Sequence, residues 1–213
     1  MQSENAIEYD LATMGAFFDI TIPIVDIGCG VGTQSFYMGS KFKRVFGFDV
    51  SKTAIDLART SCTKENVQFR VFDVLDVNQA KSLHQEIGDV NIYMRGLLHQ
   101  ITPEDRANAI ESISILLGKK GVLYMLELTE NANLFFAQLL RKNDKAAKAI
   151  ESTLLPGITA SYGVNVEKIF DYFPLSKFQL LDSGKKAIKF KINTESSFID
   201  VPSSFAILKT KTY

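Results

Sequence analysis

Three glycines and three aspartates carry the clearest chemistry in this chain. Gly28, Gly30 and Gly32 alternate directly behind the apolar, β-branched run from Ile22 to Ile27. A buried strand that breaks into glycines lets the backbone turn sharply and approach a ligand closely. Thr33 is then placed to cap a helix from about Gln34, whose first N–H groups supply further donors. Strand, glycine turn and helix start make a cradle for a nucleotide-like ligand. Asp26 near the end of this strand, Asp49 ending the next and Asp73 ending the third put carboxylates where a parallel sheet binds ligands. Asp49 follows the glycine turn by about 20 residues, the separation at which a strand-end carboxylate reaches ribose hydroxyls. A single aspartate at a strand end is more often a turn former or helix cap; the combination with the glycines is what points to a ligand.

The elements that must position these groups read in order along the chain. Ile7, Leu11, Met14 and Phe18 give residues 3–18 a helical apolar spacing. After the first strand come a helix over 33–41, a strand over Arg44–Val50, a helix from a Ser51 cap to about Ser61, and a strand over Val67–Val74. A helix over Asn78–Ile87, a strand over Asp89–Arg95, a helix opened by Thr102-Pro103-Glu104-Asp105 and closed by Gly118, and a strand over Gly121–Leu128 follow. Five strands separated by helices predict a doubly wound, mostly parallel α/β sheet with right-handed crossovers. Residues 133–155 suggest one broken or two short helices, and a further helix is expected over Val164–Tyr172. Lys177–Ser183, extending through the alternation Ala187–Ile192, and Ser204–Thr210 predict an antiparallel pair at the sheet edge, making seven strands in a Rossmann-like arrangement. The expected organisation is a single domain over 1–213, with an N-terminal helix in 1–19 and a lid-like insertion over 129–163.

Composition narrows the function classes. Of the 213 residues, 24 are Lys or Arg and 24 Asp or Glu, so no global field favours nucleic acid or an anionic membrane. No run reaches the length of a membrane span, and the acidic N-terminus lacks the pattern of a secretion signal. Cys29 and Cys62 form no metal or disulfide pattern, as expected of a reducing, cytoplasmic setting, and no metal site is expected.

With these residues in place, the chain resembles the class I S-adenosylmethionine-dependent methyltransferases. Val25-Asp26-Ile27-Gly28-Cys29-Gly30-Val31-Gly32-Thr33 looks like their first motif. Val45-Phe46-Gly47-Phe48-Asp49-Val50-Ser51 with Ala54-Ile55 resembles their second-strand motif, and Phe72-Asp73-Val74 the third-strand segment. Leu98-His99-Gln100-Ile101 is similar to their Leu-His-His-Leu segment. The resemblance covers residues 20–128 well and the last two strands by topology only.

It implies S-adenosyl-L-methionine as cofactor. Gly28, Gly30 and Gly32 would approach its methionine and ribose portions, and Asp26 would organise the loop. Asp49 would bind the ribose hydroxyls, Asp73 the adenine amino group and Val74 the ring through its backbone, with Val50 and Ile55 packing around the adenosine. Met94 and Arg95 would stand beside the transferable methyl. Arg95 departs from the small, acidic or amide residue usual there. It suits a bidentate grip on a substrate carboxylate or phosphate, or equally an ion pair with the cofactor carboxylate, Glu127 or Asp26. His99 reads as a base or a scaffold residue, and Glu127 as a base, an amine binder or a cap. Phe17, Phe18, Phe135, Phe136, Tyr162 and Tyr172 offer aromatic pocket walls, although with 16 Phe in the chain most belong to the core.

Because a sulfonium methyl is already activated, alignment and water exclusion suffice and no obligatory catalytic signature follows. The leading reading is methyl transfer to a small-molecule acceptor, an anionic one where Arg95 grips it, with the pocket closed by the 129–163 insertion, closed by a second subunit in a homodimer, or left open to a larger acceptor. No dedicated nucleic-acid module is evident. One alternative is an NAD(P)-dependent oxidoreductase, from whose fingerprint the chain departs by placing Thr33 where a further glycine is expected. Another is a non-catalytic methyltransferase-like domain.

Overall fold

The computed structural model describes residues 4–129, 131–141, 164, 168–191 and 198–211. Five strands, β1 (Ile24–Ile27), β2 (Val45–Asp49), β3 (Val67–Val71), β4 (Asn91–Arg95) and β5 (Val122–Leu128), run parallel. β6 (Phe178–Lys191) and β7 (Phe198–Thr210) complete a seven-stranded sheet of order β3-β2-β1-β4-β5-β7-β6. β7 is antiparallel to both neighbours, so the expected pair is present with the reversed strand one place in from the edge.

The helices cover both faces of this sheet. On one face lie α1 (Glu4–Met14), α2 (Thr33–Met38), α3 (Lys52–Ser61) and α6 (Asn131–Arg141), burying Met14, Met38, Ile55 and Phe136 against Ile24, Val45, Tyr93 and Tyr124. On the other lie α4 (Val77–Ile87), α5 (Arg106–Leu117) and the short α7 (Ile169–Tyr172), packed over Val25, Ile27, Ile92, Met94 and Met125. β1 and β5 are buried throughout and β4 up to Met94, as a sheet covered on both faces requires.

Local chemistry sets the element ends. Ser51 caps α3 by accepting from the Ala54 N–H, and Asp76 caps α4 by accepting from Asn78 and Gln79. Gly118, at φ 55°, ends α5 as expected. Three boundaries differ from the sequence reading. α2 begins at Thr33 itself, with Gly32 in the left-handed conformation as its cap residue and no side-chain cap, so the expected Thr33 cap is absent. β3 ends at Val71, because Asp73 folds back to accept from the Leu75 N–H at 2.9 Å and closes a turn there; Asp73 therefore sits beyond the strand rather than on it. α5 starts at Arg106, since Pro103–Asp105 is spent on a turn in which the Arg106 N–H reaches the Thr102 carbonyl at 3.2 Å.

The β6–β7 hairpin outlasts the rest of the sheet. β5 stops pairing at Leu128↔Ser203, whereas β6 and β7 stay paired to Lys191↔Phe198. The extra length projects past the C-terminal end of β5, the end where Asp26 and Asp49 also lie. The part of the expected insertion from 142 to 163, Tyr162 with it, lies outside the described residues.

Phe69 on β3 locks this half of the molecule. A Cβ built on Gly47 would meet two of its ring carbons at 2.5 Å. Gly47→Ala is therefore expected to destabilise the fold by about 2 kcal/mol through overpacking, read as a lowered urea midpoint with an unchanged slope.

Candidate active site

The glycine turn is held from below by β2, whose Phe48 carbonyl accepts from the N–H groups of both Gly28 and Cys29 at 2.8 and 3.0 Å. Gly28, Gly30 and Gly32 all have positive φ, at 78°, 54° and 80°. Two of them matter for different reasons. At Gly32 a Cβ would strike the Phe69 ring at 2.5 Å, so this glycine is required by packing. At Gly30 a Cβ would meet nothing within 4 Å, so the backbone there faces open space, as a ligand cradle needs. Asp49 joins the cradle to the next strand: its Oδ2 accepts from the Gly30 N–H at 2.8 Å and its Oδ1 from the Ser51 N–H at 2.9 Å. Val50 beside it is 66% exposed, an apolar side chain facing outward next to the carboxylate. Ile55, by contrast, is wholly buried in the core and offers no face to an adenosine.

Asp26 lies beneath the turn, 3% exposed, with Oδ2 accepting from the Ser35 hydroxyl at 2.6 Å. Burial pushes its carboxyl up to about 7, against the lowering effect of the Ser35 hydrogen bond and with added repulsion from Asp49. Cys29 is buried, and its thiol is driven well above its ordinary range by burial and by the charges of Asp26 and Asp49, which removes it as a nucleophile. Val74 is buried behind Asp73, whose N–H donates to Gln79 Oε1 at 2.9 Å.

The residues at the C-terminal ends of β4 and β5 divide between the two faces. Met94 is fully buried in the α4–α5 core, on the opposite face of the strand from Arg95. Glu127, also fully buried, gathers four donors. Oε1 accepts from the N–H groups of Leu97 and Leu98 at 3.1 and 2.9 Å, and Oε2 from the N–H of His99 at 3.2 Å and its ring Nδ1 at 2.7 Å. Both oxygens are thus committed to shaping the turn at Leu98–Gln100, and His99, 3% exposed, is oriented by the same carboxylate.

Arg95 faces the α1 side and pairs with neither Glu127 nor Asp26. Its Nη1 lies 4.0 Å from Asp10 Oδ2. Asp10, on α1, is 1% exposed and accepts from the Tyr93 hydroxyl (2.8 Å), the Tyr124 hydroxyl (2.7 Å) and Lys186 Nζ (2.6 Å). Sequence reasoning missed this cluster. Its one signal was an aspartate on the apolar stripe of a helix, between Ile7 and Met14.

Among the described residues no group of three potential ligands could hold a metal ion, and no helix is long and apolar enough to cross a membrane. The described site thus combines a glycine cradle open at Gly30, a second-strand carboxylate beside it and a carboxyl group beneath it, on a parallel sheet with one reversed strand. That is the arrangement of a class I methyltransferase. Residues 24–121 match the methyltransferase-domain family. A SAM-dependent methyltransferase from Anabaena variabilis is 33% identical and superposes with a TM-score of 0.87, over 99% of this chain and 86% of that one. The chain belongs to the S-adenosylmethionine-dependent methyltransferases, and S-adenosylmethionine is its cofactor. A SAM-dependent methyltransferase from Methanosarcina mazei shares the fold at 18% identity and TM-score 0.65, over 93% and 96% of the two chains. Magnesium protoporphyrin IX methyltransferase from Synechocystis, with bound SAH, does so at 13% and 0.61, over 98% and 82%. No curated protein matches the chain. Membership in this family displaces the oxidoreductase and non-catalytic alternatives.

Asp26 yields a prediction with a definite sign. The folded carboxyl holds a proton that the unfolded chain has released, so its contribution to stability is fully present below pH 3.8 and is lost as pH rises to about 7. Asp26→Asn is expected to flatten that part of the stability–pH curve in urea titrations. An unchanged slope would show that Asp26 is ionised throughout. Separately, Glu127→Gln, which puts an amide donor among four donors, is expected to destabilise the fold by about 3 kcal/mol, measured in the same titrations.

Proposed function

We propose that this enzyme transfers the methyl group to a nucleophilic atom of a small-molecule acceptor. The observation that carries this reading is a groove of about 400 Å³ lined by Thr129, Asn131, Lys185, Lys186, Pro202 and Ser203. Its volume matches a small ligand. It lies past the C-terminal end of β5, at the end of the sheet that carries Asp26 and Asp49. The balance of 24 basic and 24 acidic residues gives no support to a nucleic-acid acceptor. Two free thiols, Cys29 and Cys62, suit the reducing conditions of the cytoplasm.

The site residues take the roles that the family resemblance implies, adjusted to where the fold puts them. Asp49 binds the ribose hydroxyls, and the turn at Gly28, Gly30 and Gly32 lies against the methionine and ribose portions. Asp26 anchors the turn from beneath. Asp73 and the Val74 backbone face the adenine, with Val50 against its ring. Of Met94 only the main chain is available for contact. His99 and Glu127 are positioning residues that fix the turn after β4, and Arg95 alone of the expected catalytic set is left to meet the acceptor. The cofactor supplies a methyl group already activated on a sulfonium. The chain's task is to hold an acceptor in line with it and to exclude water.

Two measurements test this reading. Asp49→Ala is expected to weaken binding of S-adenosylhomocysteine at least about tenfold, or about 1.4 kcal/mol by calorimetry, and unchanged affinity would refute the ribose role. With methyl-labelled cofactor and whole-cell extract, label is expected in the low-molecular-mass fraction. Label recovered only in precipitated protein or RNA would overturn the small-acceptor reading.

A further inference from the structure

Asp10 sits among more positive charge than it can neutralise. Lys186 and Arg95 both approach it, and it is the only carboxylate within 4 Å of either among the described residues. The two tyrosines that also donate to it stay neutral, since burial and the nearby Asp10 charge drive both phenols up. Asp26, the next carboxylate toward Arg95, holds its proton up to about pH 7 because burial raises its carboxyl, so below that pH it adds little negative charge. The cluster therefore carries one uncompensated positive charge in a buried setting, which is costly unless a partner arrives.

The shortfall has an address. Arg95 Nη1 is buried and has no hydrogen-bond partner among the described residues, and at 4.0 Å from Asp10 it is beyond hydrogen-bonding range. Lys186 meanwhile forms part of the wall of the groove past β5, and its side chain keeps 21% of its surface exposed. A guanidinium nitrogen without an acceptor and an ammonium on a groove wall, held together by one aspartate, form an arrangement that suits an oxyanion.

We infer that Arg95 and Lys186, held together by Asp10, form a recognition site for a carboxylate on the methyl acceptor, so that the acceptor is a small organic acid. This rests on the small-acceptor reading above and narrows it. The charge count favours a carboxylate over a phosphate dianion: one negative charge balances the cluster, and two would leave it negative. The cofactor's own carboxylate has the same chemistry, and the experiment separates the two sources.

The test uses protein loaded with S-adenosylhomocysteine, with acetate and its neutral counterpart acetamide as probes in ligand-observed NMR. Acetate is expected to bind at least about tenfold more tightly than acetamide. Arg95→Met is expected to remove that preference, Lys186→Met to reduce it and Arg95→Lys to restore part of it, with thermal melts confirming that each variant folds. Equal binding of the two probes, or acetate binding indifferent to Arg95→Met, would overturn the inference. So would Arg95→Met weakening S-adenosylhomocysteine but not methylthioadenosine, which lacks the carboxylate, because the site would then serve the cofactor. Failure of the wild type to bind S-adenosylhomocysteine would strike at the cofactor reading instead. The acetate comparison, repeated on ligand-free protein, would still decide the anion site.

Discussion

Leaving β1, the chain must turn three times through backbone conformations that side chains resist, and the rest of the site depends on that constraint. Positive φ at 28, 30 and 32 brings the loop back over the strand end, close enough for the Gly30 N–H to reach Asp49. The same turn is pinned by the Phe48 carbonyl below. The first two motifs are thus coupled physically: the β2 strand that carries the second carboxylate also fixes the height of the glycine loop. Asp26 completes the unit from beneath, where burial pushes its carboxyl up to about 7.

Much of this was legible in the chain because it is local. A strand running into alternating glycines, a carboxylate one crossover later and a cap at Ser51 each need only a few neighbouring residues to read. What escaped depends on partners far along the sequence. Asp10 meets Tyr93, Tyr124 and Lys186 across separations of 83, 114 and 176 residues, and no periodicity in α1 announces them. From the sequence Glu127 can be a base, an amine binder or a cap. Only the fold shows three N–H groups and an imidazole converging on it. Met94 and Arg95 adjoin in sequence and were grouped together, but the pleat of a strand sends neighbours to opposite faces, one into the core and one toward Asp10. The Thr33 cap failed for a related reason, since the left-handed Gly32 already turns the chain into α2.

The two faces of the sheet consequently do different work at its C-terminal end. On the α4–α5 side Glu127 spends a buried carboxylate on rigidity. On the α1 side Asp10 spends another on holding cations that it does not fully match. Both are almost fully hidden from solvent, yet one is saturated with donors and the other leaves Arg95 short of an acceptor. That contrast separates a scaffold charge from one that awaits a partner.

Phe69 has a consequence that reaches beyond its own packing. Its ring fills the space that a side chain at Gly32 or at Gly47 would need, so three positions on three different elements share a single allotment of volume. Drift in a lineage of such proteins is then correlated: a bulkier residue at 47 becomes admissible only once the aromatic at 69 has shrunk. Position 32 gains no such freedom, since its backbone angle holds it to glycine after the steric bar is lifted. A strand residue with no chemistry of its own thereby governs which side chains position 47 of β2 can hold.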